Sequence, residues 1–440
     1  MTSRPIIALM FAALAVSGIG CSRTVTSEDW QQDLRDLERQ LAERHVDLYH
    51  SISKDTFAAA VDDLYQHIPT LTPPEILVRI AQLVALVGDG HTSFYANNQK
   101  GWRFRCYPIH LYSFSDGIYL TATTEEYAHL FGKRLVQIDK TPIDEAFRAI
   151  STTIAADNSM EYQYTVPFEL NRPEMLFVLG IAESSDRAEF VFEDGTRQVF
   201  SAITVKQWLN LDWLVVNAAH GPDRRSPSMR LEFLFATPLT LPHLEERKFY
   251  WYTYLEDHRS LFLQYNACWN RKGDKPFAEV VESLLAFLDQ HPVDRLIIDL
   301  RQNTGGEPMI AEPLIEGLER RSDLGAGGGL FVLVGRRTFS AALTNAAHLR
   351  SRAGARVVGE APRGKPNSPS EGRDIDLPRT KIWASVSTEF VERDPELGDT
   401  DYLPVDVEMG LSFDEYRRAT DPVLEAALAA PLYMNDESAH

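Results

Sequence analysis

The run Arg295-Leu296-Ile297-Ile298-Asp299-Leu300 decides the fold. It is apolar, rich in branched side chains, too short for a helix, and closed by the turn residues Asn303-Thr304-Gly305-Gly306. A strand buried on both faces reads this way. Working outward, Leu330-Phe331-Val332-Leu333-Val334 repeats the pattern, and Phe262 to Tyr265 and Arg356 to Val358 carry shorter versions of it. Helical stretches fall between them, at Pro276 to Leu288, near Pro308–Arg320 and at Ala341 to Ala353. Strands alternating with helices predict a largely parallel sheet covered by helices. The glycine-rich Gly325 to Gly329 lacks the lysine-serine ending of a phosphate loop and reads as a flexible connector.

Upstream the pattern changes twice. Trp30, Leu34, Leu37, Leu41 and Leu48 form one apolar stripe at helical spacing, and Phe57, Val61, Leu64 and Ile68 form a second. Thr72-Pro73-Pro74-Glu75 is a helix start, with a capping hydroxyl, proline in the first turn and glutamate three residues on. The helix it opens runs into Gly88-Asp89-Gly90-His91-Thr92. From about 104 to 204 short strands and turns take over, including a hairpin at Ala188 to Phe200 around Asp194-Gly195. Gly132 to Ile138 followed by Thr141-Pro142-Ile143 reads as strand, turn and helix. That order resembles the second half of a PDZ domain, and a plain β-rich insert fits it as well. The fold class expected is α/β within an α+β multi-domain chain. Its parts are a helical region at 22–98, the PDZ-like or β-rich insert at 99–204, and an α/β core at 205–440.

Composition narrows the function class. Among 440 residues, 44 Lys+Arg oppose 63 Asp+Glu for a net charge of −19, and 44% of residues are apolar. That apolar share excludes wholesale disorder, and the charge opposes binding to nucleic acid or anionic lipid. Three cysteines cannot form a disulfide framework. Residues 1–21 read as a signal peptide: Arg4, an apolar run from Ile6 to Val16, then Ser17-Gly18-Ile19-Gly20-Cys21. Small residues before Cys21 resemble a bacterial lipobox, so Cys21 is the expected lipidation site, with an ordinary cleaved signal as the alternative. The expected location is the periplasmic side of the cell envelope, lipid-anchored, or secreted without the lipid. Cys106 and Cys268 remain, free or paired. The 12 histidines show no His-x3-His pair with a fitting carboxylate and there is no Cys-x-x-Cys, so neither metal nor cofactor is expected.

Ser340 follows the strand ending at Val334 and opens a helix, a position where free N–H groups and partial positive charge suit an oxyanion. On its own it also reads as an N-cap. Paired glycines at 305 and 306 let a backbone approach a ligand closely, and His91 sits between Gly90 and Thr92 at a helix exit. The order of Gly88-Asp89-Gly90-His91-Thr92, Asp299 to Gly306, Thr338-Phe339-Ser340-Ala341-Ala342, Val358-Gly359-Glu360, Gly364-Lys365-Pro366-Asn367 and Asp421-Pro422-Val423-Leu424-Glu425 is more specific than any part. It resembles the tail-specific (C-terminal-processing) and tricorn-core serine peptidases, closer to the tricorn-like branch.

The resemblance implies a catalytic core of the ClpP/crotonase-like type, with Ser340 as nucleophile and Gly306 and Ala341 as oxyanion donors. It implies His91 as general base with Glu371 as the orienting carboxylate, or alternatively a Ser340–Lys365 dyad. The implied partner is a peptide or protein substrate. The competing readings are a non-catalytic ligand-binding lipoprotein and an envelope scaffold on the same fold.

Overall fold

The computed structural model describes residues 24–217, 221–225 and 249–433. The signal segment and Cys21 lie outside the described residues. The chain opens with α1 (Ser27–Arg44), α2 (Lys54–His67) and α3 (Pro73–Ala85), the three amphipathic helices expected. The capping box between Thr72 and Glu75 starts α3 as anticipated. The buried face of α1 is Trp30, Leu34, Leu37 and Leu41, the stripe written in its sequence.

Two small antiparallel sheets follow. Strands β1 (Ile109–Phe114), β2 (Gly117–Thr123), β3 (Leu135–Ile138) and β4 (Thr141–Pro142) lead to helices α4 (Ile143–Ser151), α5 (Ser159–Glu169) and α6 (Pro173–Val178). Then come β5 (Arg187–Phe192), β6 (Arg197–Ser201), α7 (Val205–Leu209), β7 (Trp213–Asn217) and β8 (Gly221–Arg225). The hairpin around Asp194-Gly195 forms as β5 and β6, and the two sheets run in the orders β1-β2-β7-β8 and β4-β3-β5-β6. One continuous apolar core, from Trp30 through Phe104 and Phe190 to Phe200, joins this segment to the N-terminal helices.

The second half holds β9 (Tyr250–Leu255), β10 (Ser260–Tyr265), α8 (Phe277–Gln290), β11 (Arg295–Asp299), α9 (Glu312–Glu319), α10 (Ser322–Ala326) and β12 (Leu330–Val334). It continues with α11 (Ala341–Ser351), β13 (Arg356–Gly359), β14 (Asn367–Leu377), β15 (Ile382–Glu392), β16 (Val407–Glu408), α12 (Phe413–Arg417) and α13 (Pro422–Ala429). Six strands form one sheet in the order β16-β13-β12-β11-β10-β9, parallel except for β9 at its edge. Alternation sends Leu296, Ile298, Leu330 and Val332 to one face, with Leu314 and Leu343 of the covering helices. Ile297, Phe331 and Leu333 go to the other, under Val423, Leu424 and Ala427 of α13. Both faces are therefore buried, as the unbroken apolar runs require.

Two expectations change. Gly325 to Gly329 is packed rather than a flexible connector: a Cβ on Gly325 would lie 2.2 Å from the Ala353 carbonyl oxygen, and one on Gly329 2.4 Å from that of Asp294. These glycines are there because backbones touch. The β14–β15 hairpin packs Ile375, Leu377, Ile382, Ala384 and Val386 into the N-terminal core, although it belongs in sequence to the second half. Asp33 of α1 accepts hydrogen bonds from the Thr380 N–H and hydroxyl at its turn, both at 2.7 Å. Cys106 and Cys268 are both buried free thiols.

Candidate active site

Adjacent parallel strands β11 and β12 deliver two loops to the same end of the sheet, the end where such sheets place ligands. The loops are cross-linked. The Thr338 hydroxyl donates to the Leu300 carbonyl at 2.9 Å, and the Phe339 N–H donates to the Asn303 carbonyl at 3.3 Å. Asn303 also accepts the Gly305 N–H at 2.9 Å and donates to the Tyr265 carbonyl at 3.0 Å. Ser340 stands at the head of α11 with φ 54° and ψ −125°. A side chain in that sparsely populated region is held there by its surroundings, and the turn lifts the hydroxyl off the helix.

Behind Ser340 lies Gly305, at φ +103°. A Cβ there would be 2.8 Å from Ser340 Cβ and 3.0 Å from the Ala341 nitrogen, so only glycine permits this approach. The Gly305 carbonyl accepts the Cys268 N–H, and Glu307 N–H donates to the Cys268 carbonyl. Within the described residues, the amides of Gly306 and Ala341 donate to no protein acceptor. Two free N–H groups thus flank the serine, the arrangement an oxyanion needs.

His91 arrives from the N-terminal region, and its Nε2 lies 3.2 Å from Ser340 Oγ across 249 residues of chain. Its ring stacks on Phe339, the residue before the serine, with centroids 4.5 Å apart. Asp89 shapes the turn that carries it. One oxygen of Asp89 accepts the N–H of His91 at 3.0 Å, the N–H of Thr92 at 2.7 Å and the Ser387 hydroxyl at 2.5 Å. The other meets His45 Nε2 at 2.8 Å. His45 Nδ1 accepts the Asp47 N–H, which leaves Nε2 as the donor toward Asp89. Burial would raise the Asp89 carboxyl, but the hydrogen bonds from His45 and Ser387 outweigh it and keep the group below its ordinary value.

Burial pulls the His91 imidazole down to about 3, with the Arg393 charge acting in the same sense, Asp89 against it and Arg363 with it. The ring is therefore neutral at physiological pH. Nδ1 is buried and, among the described residues, has no hydrogen-bond partner.

The remaining expected residues do not join this cluster. Glu371 does not orient His91: its half-exposed carboxylate lies 3.9 Å from Arg373, because the backbone turns to φ +53° in the middle of β14 and points the side chain outward. Lys365 does not reach Ser340 as a base: its ammonium is 2.8 Å from Asp401 and 3.5 Å from Asp399. Burial lowers its pKa, yet Asp401, with Asp399, more than compensates, so the lysine is held charged rather than neutral.

Several residues around the site had no assigned role in the sequence. Arg363 places both Glu161 oxygens at 2.9 Å and lies between the rings of Tyr164 and Phe339, at 4.1 and 4.5 Å from their centroids. Arg393 is buried and donates to the Thr344, Ser368 and Ser370 hydroxyls and to the carbonyls of Lys365 and Pro366. It thereby ties the 365–370 segment to α11. Asp89 does carry a sequence signal: an aspartate between two glycines favours an Asx turn, its carboxylate accepting N–H groups two and three residues on. Ser387 and Arg393 carry none.

No protein-family model matches the sequence, and no curated protein does. Solved structures do match. The chain aligns with a Ser-to-Ala mutant of CPAF at TM-score 0.61 and 13% identity, over 91% of this chain and 97% of that one. Mature CPAF complexed with lactacystin aligns at 0.59 and 13%, over 91% and 98%, and mature CPAF at 0.56 and 12%, over 91% and 96%. The chain has the CPAF fold. That likeness covers both halves of the molecule, so the helical region carrying His91 and the sheet carrying Ser340 both belong to the arrangement shared with CPAF.

Proposed function

We propose that the protein is a serine peptidase that hydrolyses peptide bonds through an acyl-enzyme on Ser340. The 3.2 Å approach of His91 Nε2 to the strained Ser340 hydroxyl carries this reading, and the shared fold and the order of the motifs support it. Ser340 Oγ attacks the substrate carbonyl carbon while its proton passes to His91 Nε2. The carbonyl oxygen, now negative, sits against the N–H groups of Gly306 and Ala341. Collapse breaks the C–N bond, and His91 returns the proton to the leaving amine. Water then repeats the sequence on the ester and frees Ser340. Lys365 and Glu371 have no step in this scheme.

A fluorophosphonate probe tests it directly. The wild-type protein should gain one covalent adduct, located at Ser340 by peptide mass mapping, and Ser340→Ala should gain none. Equal labelling of both, or of neither, overturns the reading.

The protein is proposed to act outside the cytoplasm, anchored through Cys21, on the strength of residues 1–21. Cells fed a tagged fatty acid should incorporate it into the wild type and not into Cys21→Ser. Equal incorporation removes the anchor from the account.

A further inference from the structure

The catalytic scheme asks His91 to become an imidazolium, yet its Nδ1 meets no acceptor and the ring is held neutral. Both oxygens of Asp89 are already engaged. A further buried carboxyl belongs to this corner of the molecule. Asp157 is 9% exposed and immediately precedes Asn158, the N-cap of α5. Its Oδ2 lies 3.1 Å from where a Gly90 Cβ would sit and 3.6 Å from where a Gly364 Cβ would sit, and the nearby Gly90 N–H favours its ionised form. The Phe339 ring closes on the same two positions, at 3.2 and 3.5 Å. Three chain segments therefore meet at Asp157: the turn before His91, the residue before Ser340, and the strand approach at Gly364. Asn158 fastens the corner by donating to the carbonyls of Pro362, Gly364 and Asp401 at 3.0–3.2 Å.

We infer that Asp157 is a positioning residue for His91: its ionised carboxylate holds the Gly90–His91 turn against Phe339 and supplies the buried negative charge that the imidazolium requires. The inference deepens the peptidase reading and rests on it. Asp157 holds this place because glycine at 90 leaves room for its carboxylate beside the turn. An adjacent fixed charge in a water-poor site stabilises a developing cation more strongly than the same charge in water.

The groups facing Asp157 are Asp89 on the His91 turn, Glu161 on α5 and Arg393 after β15, while Phe339 presents only its ring. Burial pushes the Asp157 carboxyl up to about 7, Asp89 adds to that, and the Gly90 N–H and Arg393 oppose it. Burial holds the histidine well below neutrality, so the proposal assigns a rise in activity through neutrality to Asp157. A carboxyl raised by folding stabilises the protein below its ordinary pKa, near 4, and that contribution is lost as pH rises through 7. Replacing it with an amide should therefore raise stability at alkaline pH, the opposite of what loss of a structural prop would do.

The test uses the full-length protein and its Asp157→Asn variant, which keeps an acceptor for the Gly90 N–H. Fluorophosphonate labelling rates are measured from pH 5 to 9, with peptide kcat and KM at pH 8 and Tm at pH 5 and 8. The wild-type rate should climb through about pH 7, and the variant should lose that limb and fall at least about tenfold in kcat at pH 8 with KM within about twofold. Its Tm at pH 8 should equal or exceed the wild type's. A variant that retains the wild-type limb and rate overturns the inference alone, as does one that is slow and also less stable at pH 8. A wild type that the probe never labels overturns the peptidase reading and this inference with it.

Discussion

Ser340→Ala, His91→Ala and the double variant are expected to share one residual rate, about 10⁴-fold or more below wild type. In the proposed scheme nucleophile and base act as a unit: without His91 the hydroxyl keeps its proton, and without the hydroxyl the imidazole has nothing to activate. Their 3.2 Å contact is the physical basis for that coupling. The shared loss corresponds to about 5.5 kcal/mol of transition-state stabilisation, and the remaining rate comes from the Gly306 and Ala341 amides and substrate binding. Measured kcat/KM on a fluorogenic peptide checks it. Effects that multiply in the double variant would show that the two residues work separately, and full activity in His91→Ala would remove the histidine from the mechanism.

Gly305→Ala is expected to damage activity strongly although the glycine has no chemistry of its own. The added methyl would stand 2.8 Å from Ser340 Cβ and 2.9 Å from the Phe339 carbonyl oxygen, on a residue at φ +103°. Overpacking of this kind costs about 1–3 kcal/mol, and the backbone strain adds a similar amount. A domain of ordinary stability survives that. The easiest relief is a shift of the Ser340–Ala341 backbone, which moves nucleophile and oxyanion donor together. Losing the alignment of one donor alone costs about 10²–10³ in kcat. The expected result is therefore a folded protein with a lower Tm and kcat reduced at least that far. Near-wild-type kcat would show that the Gly305 contact does not set the serine's position.

Much of this arrangement was legible in the sequence wherever one local segment carried the whole signal. The apolar runs at 295–300 and 330–334 are buried strands because both faces of a parallel sheet are covered. Thr72 and Glu75 announced α3 through a cap that needs only four residues. Ser340, Gly305 and Gly306 could be placed because strand, turn and helix follow in order. Glu371 could not, since its orientation depends on a positive φ inside β14, which an extended pattern does not reveal. The ion pairs of Lys365 could not be read either, because Asp399 and Asp401 reach it from a separate loop. The anchoring of Asp89 by Ser387 joins residues 298 apart, and the glycines from 325 to 329 look free until the backbones they touch are known.

The β14–β15 hairpin also decides when the His91 turn can be complete. The His91 turn depends on Asp89, and Asp89 in turn on the Ser387 hydroxyl. Val46 and Ser93 likewise bond to Ser387 and Ser385 of the same strand. The His91 turn therefore lacks this anchor until residue 387, 47 positions beyond Ser340, is in place. A chain that has not yet closed this hairpin therefore holds the proposed nucleophile and base without an organised site.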